Sequence, residues 1–206
     1  MRFTALAVLI GAGLAVVSLP AEAAWKTYVS RDFGFAFTAP GEVKAQRGTF
    51  KGEMEGDHGH GAHPAVVFRS ADNNVEYTAT VVDFNTLIGE SASLLQEAAV
   101  VFQNGGKTVM DNYGRINNVY GRKITVDLAN NGGRAMATFY FNKGYLFIMQ
   151  AVVLPANGDY ASPDAARFVD SEVWLPRNNL FEAHPFPPHD FPDLTGAAEL
   201  GLPNLN

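Results

Sequence analysis

The histidines of this chain are concentrated in one segment, which makes it the first place to look for metal chemistry. Three of the five histidines, His58, His60 and His63, lie within six residues. Three acidic residues lie just before them: Glu53, Glu55 and Asp57. Imidazole nitrogens and carboxylate oxygens are ligands for Zn, Cu and Ni. On an extended backbone His58 and His60 point to one side, and the intervening glycines let His63 complete a three-ligand set. The segment therefore predicts a metal site at these three histidines.

The same composition is also typical of a solvated loop whose histidines bind metal weakly and incidentally. No apolar periodicity runs through residues 51–64, which predicts a loop there. The spacing H-x-H-x-x-H matches no particular metalloenzyme signature. The specific metal site and the solvated loop both stay open.

Groups for covalent or acid–base catalysis are not arranged as those reactions require. The stretch G-E-S-A-S at residues 89–93 misses the nucleophile elbow G-x-S-x-G, and Ser91 and Ser93 fit better as helix caps. No spacing of Asp and Glu reveals a partnered pair of carboxylates. The glycines of G-A-G-L-A-V at residues 11–16 lie inside the N-terminal apolar segment, so they do not indicate a dinucleotide-binding site. We therefore predict that the chain is not an enzyme.

The N-terminal segment has the form of a secretory signal. Arg2 precedes an apolar run from Ala5 to Val17, and the segment ends in Ala21-Glu22-Ala23, a small-x-small pattern. We predict cleavage after Ala23 and a periplasmic or secreted location. The apolar run is shorter than the roughly 20 residues that cross a bilayer as a helix, so we predict no membrane anchor.

Charge and cysteine content restrict the partners. The formal net charge is -6, from 15 Lys and Arg against 21 Asp and Glu, which argues against nucleic acid as a partner. The chain has no cysteine, so it forms no disulfide.

The elements that would position the candidate residues follow from hydrophobic periodicity. The pattern predicts an aromatic-rich strand ending at Pro40, a second strand at residues 43–50, a hairpin from residues 65–69 and 75–83, a helix beginning near Ser93, a short strand at residues 107–111, a meander from residues 121–128, 134–141 and 145–153, and a helix that begins at Ser162-Pro163-Asp164. Hairpin-linked strands with separate helices predict an α+β domain.

The C-terminal segment contains six of the chain's 11 prolines between Pro176 and Asn206 and shows no persistent period. His184 and His189 alternate there with three aromatic residues at five-residue spacing: Phe181, Phe186 and Phe191. The aromatic residues either dock this tail onto its own domain or contact another chain. A third interpretation is that the tail histidines complete the metal shell of the loop.

Three stretches carry a resemblance to a known family: W-K-T-Y-V-S-R-D-F-G-F-A-F-T-A-P at residues 25–40, Y-G-R-K-I-T-V-D-L at residues 120–128, and S-P-D-A-A-R-F-V-D-S at residues 162–171. With the order of elements, they resemble the Mog1/PsbP-like family, especially its small exported bacterial members. The resemblance implies an antiparallel β-sheet sandwiched between helices. It also implies a binding or assembly module, and it supplies no shared catalytic set.

These observations combine into one expectation. Residues 1–23 form a cleaved signal, residues 24–175 form a single domain with a His-rich loop at residues 51–64, and residues 176–206 form a Pro-rich tail. We expect a non-enzymatic exported module that binds an unknown protein partner or small ligand. The alternative is a periplasmic metal-binding protein that uses the His-rich loop.

Overall fold

The computed structural model describes residues 23–51, 62–84, 91–175 and 198–200. These residues form two β-sheets and two α-helices. The elements are β1 (Trp25–Ser30), β2 (Phe35–Pro40), β3 (Lys44–Lys51), β4 (Ala62–Asp72), β5 (Val75–Asp83), α1 (Ser91–Gln103), β6 (Gly106–Ile116), β7 (Val119–Leu128), β8 (Arg134–Asn142), β9 (Tyr145–Val153), α2 (Pro163–Val169), β10 (Val173–Trp174) and β11 (Ala198–Glu199).

The larger sheet has seven antiparallel strands in the order β3-β4-β5-β9-β8-β7-β6. β4 and β5, β6 and β7, and β8 and β9 pair through two-residue turns, and the β5–β9 pairing joins the two series of hairpins. Asn73 and Asn74 connect β4 to β5 with φ values of 50° and 57°. Asn tolerates this left-handed backbone, which matches the twist of a two-residue hairpin.

The smaller sheet has the order β10-β2-β1-β11. β1 and β2 form an antiparallel hairpin, and β11 pairs with β1 in parallel, with Tyr28 opposite Ala198. The backbone N–H of Leu200 then donates to the carbonyl of Val29 at 2.7 Å.

One face of the larger sheet packs against the smaller sheet and α2. Aromatic side chains fill most of this core: Phe35, Phe37, Phe68, Tyr77, Phe147 and Phe168. Ser162 caps α2 by accepting a hydrogen bond from the backbone N–H of Ala165, and Pro163 begins the helix, as the sequence predicted.

The opposite face of the larger sheet packs against α1, which contacts β6, β7 and β8. Leu94 and Ala98 of the helix meet Ile124, Phe139 and Leu146 of the sheet in a second core. No helix within the described ranges is long and apolar enough to span a membrane.

The predicted fold class, a sheet sandwiched between helices, is wrong. Strand residues far outnumber helical ones in the described ranges, and the smaller sheet takes most of the place that a helical layer would occupy. The cause lies in the aromatic stretch Trp25–Pro40, which forms a hairpin of its own. Phe35 and Phe37 bury their rings against the larger sheet, so this hairpin covers that sheet instead of extending it.

Other predicted elements are confirmed, with changed bounds. The hairpin of β4 and β5 and the meander of β7, β8 and β9 form as expected. β6 has 11 residues and is much longer than predicted. The ends of the predicted His-rich loop belong to strands, because Lys51 closes β3 and Ala62 begins β4. The signal segment apart from Ala23, residues 52–61 of the loop and most of the tail lie outside the described residues.

Candidate functional site

An open groove of about 840 Å³ lies on the larger sheet, beside α1. Its floor consists of β3, β4, β5 and the middle of β9. Gln150 of the groove pairs with Ala137, which belongs to the core under α1, so the groove and α1 share one face of the sheet. Because α1 contacts β6, β7 and β8, it leaves this half of the face open.

A row of four polar side chains crosses the groove floor. Lys44 lies opposite Arg69, Arg69 opposite Thr78, and Thr78 opposite Gln150. Directly opposed residues of antiparallel strands project from the same face, so all four side chains point into the groove. The adjacent row, one pair further along the strands, consists of Gln46, Val67, Thr80 and Ile148.

The two ends of the groove differ in chemistry. Glu42 and Glu76 line one end, and Phe50 and Ala65 line the other. The chemical character of the groove therefore changes along the strands. It is acidic at one end and apolar at the other, and between them lie a row with two cations and a row with amide and hydroxyl groups.

The alternation of β5 explains why these polar residues lie there. Its buried residues, which face the smaller sheet and α2, are Val75, Tyr77, Ala79 and Val81. The residues between them are Glu76, Thr78 and Thr80, and they face the groove. Successive strand residues point to opposite faces, so burial of one set fixes the other set on the open face.

None of these groove residues was predicted from the sequence, because no local motif marks them. The alternation in V-E-Y-T-A-T-V at residues 75–81 is the one local signal, since it separates Thr78 and Thr80 from the core. Lys44, Arg69 and Gln150 join them through pairing between strands that are distant in the sequence, which periodicity does not reveal.

The predicted metal ligands are only partly placed. His63 lies in β4 opposite Phe50, and its ring centroid is 4.1 Å from that of Phe84. His63 is thus at the apolar end of the same face. His58 and His60, with the acidic residues before them, and the tail residues His184 and His189 lie outside the described residues. Within the described ranges no three His, Asp or Glu side chains cluster as metal ligands. The metal site stays a prediction.

A second polar cluster lies between the two sheets and is closed to solvent. Glu172 is 2% exposed, and neither of its carboxyl oxygens has a hydrogen-bond partner among the described residues. Burial raises the pKa of Glu172 to about 8. The indole of Trp174 packs nearby on Phe147 and Tyr140. The pKa of Tyr140 is raised to about 12, first by burial and then by the charges of Glu172 and Asp170. Because the carboxyl group is buried, its ionisation makes the stability of the fold depend on pH.

Two arginines of the larger sheet are paired with aspartates. Arg122 forms an ion pair with Asp111 and donates to Gln96 of α1 at 2.6 Å. Arg134 donates to Asp127 at 2.7 Å, and this hydrogen bond lowers the pKa of Asp127. These pairs hold α1 and the strand ends in place.

Comparisons with known proteins bear on the fold. No family model matches the sequence, and neither does any curated protein. Among solved structures, the chain is similar to the solution structure of cyanobacterial PsbP (CyanoP) from a Synechocystis species, with a TM-score of 0.48 and 11% identity. The match covers 82% of this chain and 99% of the other. The predicted resemblance names the same PsbP-like family as this structure, and no ligand, activity or partner follows from the match.

Proposed function

We propose that this chain is a non-enzymatic exported module that binds a small ligand in the groove of the larger sheet. The observation that carries the proposal is the groove, which has a volume of about 840 Å³ and polar side chains at its centre. Sites for small molecules fall within about 300–1,000 Å³ and place a few polar groups among apolar ones.

The side chains of the groove floor are suited to holding a ligand. Thr78 and Thr80 offer hydroxyl groups, and Gln46 and Gln150 offer amides, so each can both donate and accept hydrogen bonds. Thr78, Thr80 and Gln150 lie on β5 and β9, whose opposite faces are packed in the core, so the backbone that carries them is held in place before a ligand arrives. A preorganised set of this kind favours affinity and specificity.

Export is supported by the sequence alone. The apolar run after Arg2 and the Ala-x-Ala pattern ending at Ala23 are typical of a signal peptidase substrate. In this proposal the mature chain begins at Ala24 and meets its ligand outside the cytoplasm.

The proposal can be tested with the chain recovered from the periplasm of a host that expresses residues 1–206. Mass spectrometry should find an N terminus at Ala24. The recovered protein is then dialysed to equilibrium against a small-molecule extract of the growth medium, and the retained compounds are identified by mass. We expect the protein to enrich at least one compound.

A Thr78→Trp variant serves as the groove-filled form, and Thr108→Trp is its matched control, since Thr108 is an exposed threonine on β6. The first variant should lose the enriched compound and the second should retain it. Enrichment that survives Thr78→Trp, or no enrichment at all, would contradict binding in the groove. A retained Met1 would contradict export.

A further inference from the structure

Two cations lie directly opposite each other in the groove. Lys44 on β3 pairs with Arg69 on β4, and both side chains project from the open face. Directly opposed side chains have Cβ atoms about 4.5–5.5 Å apart, and like charges in that position destabilise a strand pair. The arrangement therefore reduces the stability of the sheet unless an anion lies between the two side chains.

Glu42 and Glu76 line the same groove, but neither forms an ion pair with these two cations. Lys44 and Arg69 form no ion pair with any residue that the structure describes, whereas three cations on β7 and β8 do: Arg122 with Asp111, Lys123 with Asp170, and Arg134 with Asp127. A guanidinium beside an ammonium offers a fork of donors and a point charge, which together suit one carboxylate.

Neutral hydrogen-bonding groups continue from the cations across the sheet. Thr78 follows Arg69 in the same row and Gln150 follows Thr78, while Gln46 and Thr80 lie in the next row. Hydroxyl groups of a ligand can donate to and accept from all four side chains. These side chains therefore suit a polar, uncharged group next to a carboxylate.

The ends of the groove limit the charge and the shape of the ligand. Glu42 and Glu76 lie at the end next to the cation row, where they would repel a second negative charge. Val67 and Phe50 lie on the other side, where they offer apolar surface to a ring or chain of carbon atoms. A dianion such as a phosphate monoester suits this site less well than a monocarboxylate.

We infer that the groove binds a sugar acid, a polyhydroxylated monocarboxylate whose carboxylate lies between Lys44 and Arg69. Its hydroxyl groups contact Thr78, Thr80, Gln46 and Gln150. This inference rests on the proposed binding function and names the ligand class for the same groove.

The test is isothermal titration calorimetry of the mature chain with D-glucuronate and D-galacturonate. Each uronate is compared with its neutral parent sugar, and acetate and inorganic phosphate serve as anions without the sugar hydroxyls. We expect at least one uronate to bind at least about tenfold more tightly than its parent sugar and than either simple anion, since a hydrogen bond to a charged group contributes about 1.5–3 kcal/mol. Equal binding of the parent sugar, or of acetate or phosphate, would overturn the inference.

Arg69→Gln and Lys44→Gln remove the two cations one at a time. Each should weaken uronate binding by about tenfold or more and leave the weak binding of the neutral sugar unchanged. Lys26→Gln removes one positive charge from an exposed position on β1 of the smaller sheet and is the matched control. Uronate binding that tolerates Arg69→Gln as well as it tolerates Lys26→Gln would remove the cation pair from the site.

A ligand-free measurement shows that the variants fold and tests the repulsion itself. Loss of one of two opposed like charges should raise the midpoint of thermal unfolding by about 1–2 °C in Arg69→Gln and in Lys44→Gln. A lowered midpoint in both would show that the two cations do not repel each other and would contradict the premise.

The outcome separates this inference from the broader proposal. If the dialysis experiment enriches a neutral or cationic compound that Thr78→Trp abolishes, while no uronate binds, the groove is a binding site and the sugar-acid inference fails. If nothing is enriched and no uronate binds, both fail.

Discussion

Glu172 carries its carboxyl group into the interior between the two sheets, where burial keeps the group protonated up to about pH 8. In the unfolded chain the same group loses its proton near pH 4.5. Between these two values the folded protein binds one proton more than the unfolded chain does. The free energy of unfolding therefore falls as the pH rises through this window, by up to about 1.4 kcal/mol per pH unit from this residue.

Glu172→Gln should remove this dependence, because an amide of nearly the same shape has no proton to lose. At pH 8 we expect the variant to be more stable than the wild type by about 4 kcal/mol, and at pH 4 nearly equal to it. Urea unfolding at pH 4, 6 and 8 measures the difference directly.

The matched control is Glu199→Gln, since the Glu199 side chain is 55% exposed and pairs with Arg31 at the surface. Exposed ion pairs contribute little, so its difference from the wild type should stay small at every pH. If the wild type and Glu172→Gln kept a constant difference from pH 4 to pH 8, the buried carboxyl would not be the source of the dependence.

Among the elements, β11 is a two-residue strand that lies within the predicted C-terminal tail and joins the smaller sheet. It forms two residue pairs with β1, and Leu200 follows it with 9% of its surface exposed. This part of the predicted Pro-rich tail therefore docks on its own domain. The aromatic residues on which the docking prediction rested lie outside the described residues.

Leu200→Ala should lower the free energy of unfolding by about 2 kcal/mol, because it removes buried methyl groups at the edge of the core between the sheets. Chemical denaturation followed by tryptophan fluorescence would measure the change. Glu199→Ala alters the neighbouring residue of β11, whose side chain is exposed, and should change stability by less than about 1 kcal/mol. Equal effects of the two substitutions would show that Leu200 does not hold β11 in place.

The sequence predicted individual strands and turns more accurately than it predicted how strands distant in the sequence pair. Alternation over residues 121–128 and the Asn-rich turns were enough to predict strands and hairpins, because those signals reside in adjacent residues. Phe35 and Phe37 indicated a strand equally well, but their spacing carries no information on which sheet the strand joins. The fold class was wrong for that reason.

The candidate site was also missed because its residues are distant in the sequence. His58, His60 and His63 are prominent because they are close in the sequence. Lys44 and Arg69 are 25 positions apart and become neighbours only through the register of β3 and β4. A site built from one residue per strand leaves no motif, so it becomes visible only when the register is known.

At the scale of the whole molecule, one of the predicted metal ligands lies on the same face of the larger sheet as the groove. His63 lies on the groove face, beside Phe50 and Phe84 at the apolar end. A metal bound by the three predicted histidines would therefore lie beside the groove and apart from the cation pair. The two sites can be tested independently.

Calorimetric titration of the tag-free mature chain with Zn, Cu and Ni tests the metal prediction. If the site is specific, one ion should bind with a dissociation constant below about 10 μM, and the triple change of His58, His60 and His63 to Ala should abolish that binding. His184→Ala combined with His189→Ala tests the third interpretation, because it should weaken binding only if the tail histidines complete the metal shell. Binding weaker than about 10 μM, or insensitive to the triple change, would leave the solvated loop as the correct interpretation.

The strict alternation of β5 has a consequence for how such a protein can change in evolution. The side chains of Val75, Tyr77, Ala79 and Val81 belong to the core, while Glu76, Thr78 and Thr80 lie on the opposite face of the strand and line the groove. Substitutions at the three outward positions can accumulate without disturbing the packing behind them. The strand therefore separates positions where changes alter the groove surface from positions where changes alter the core, so the groove surface can diverge among descendants of one scaffold while the scaffold itself persists.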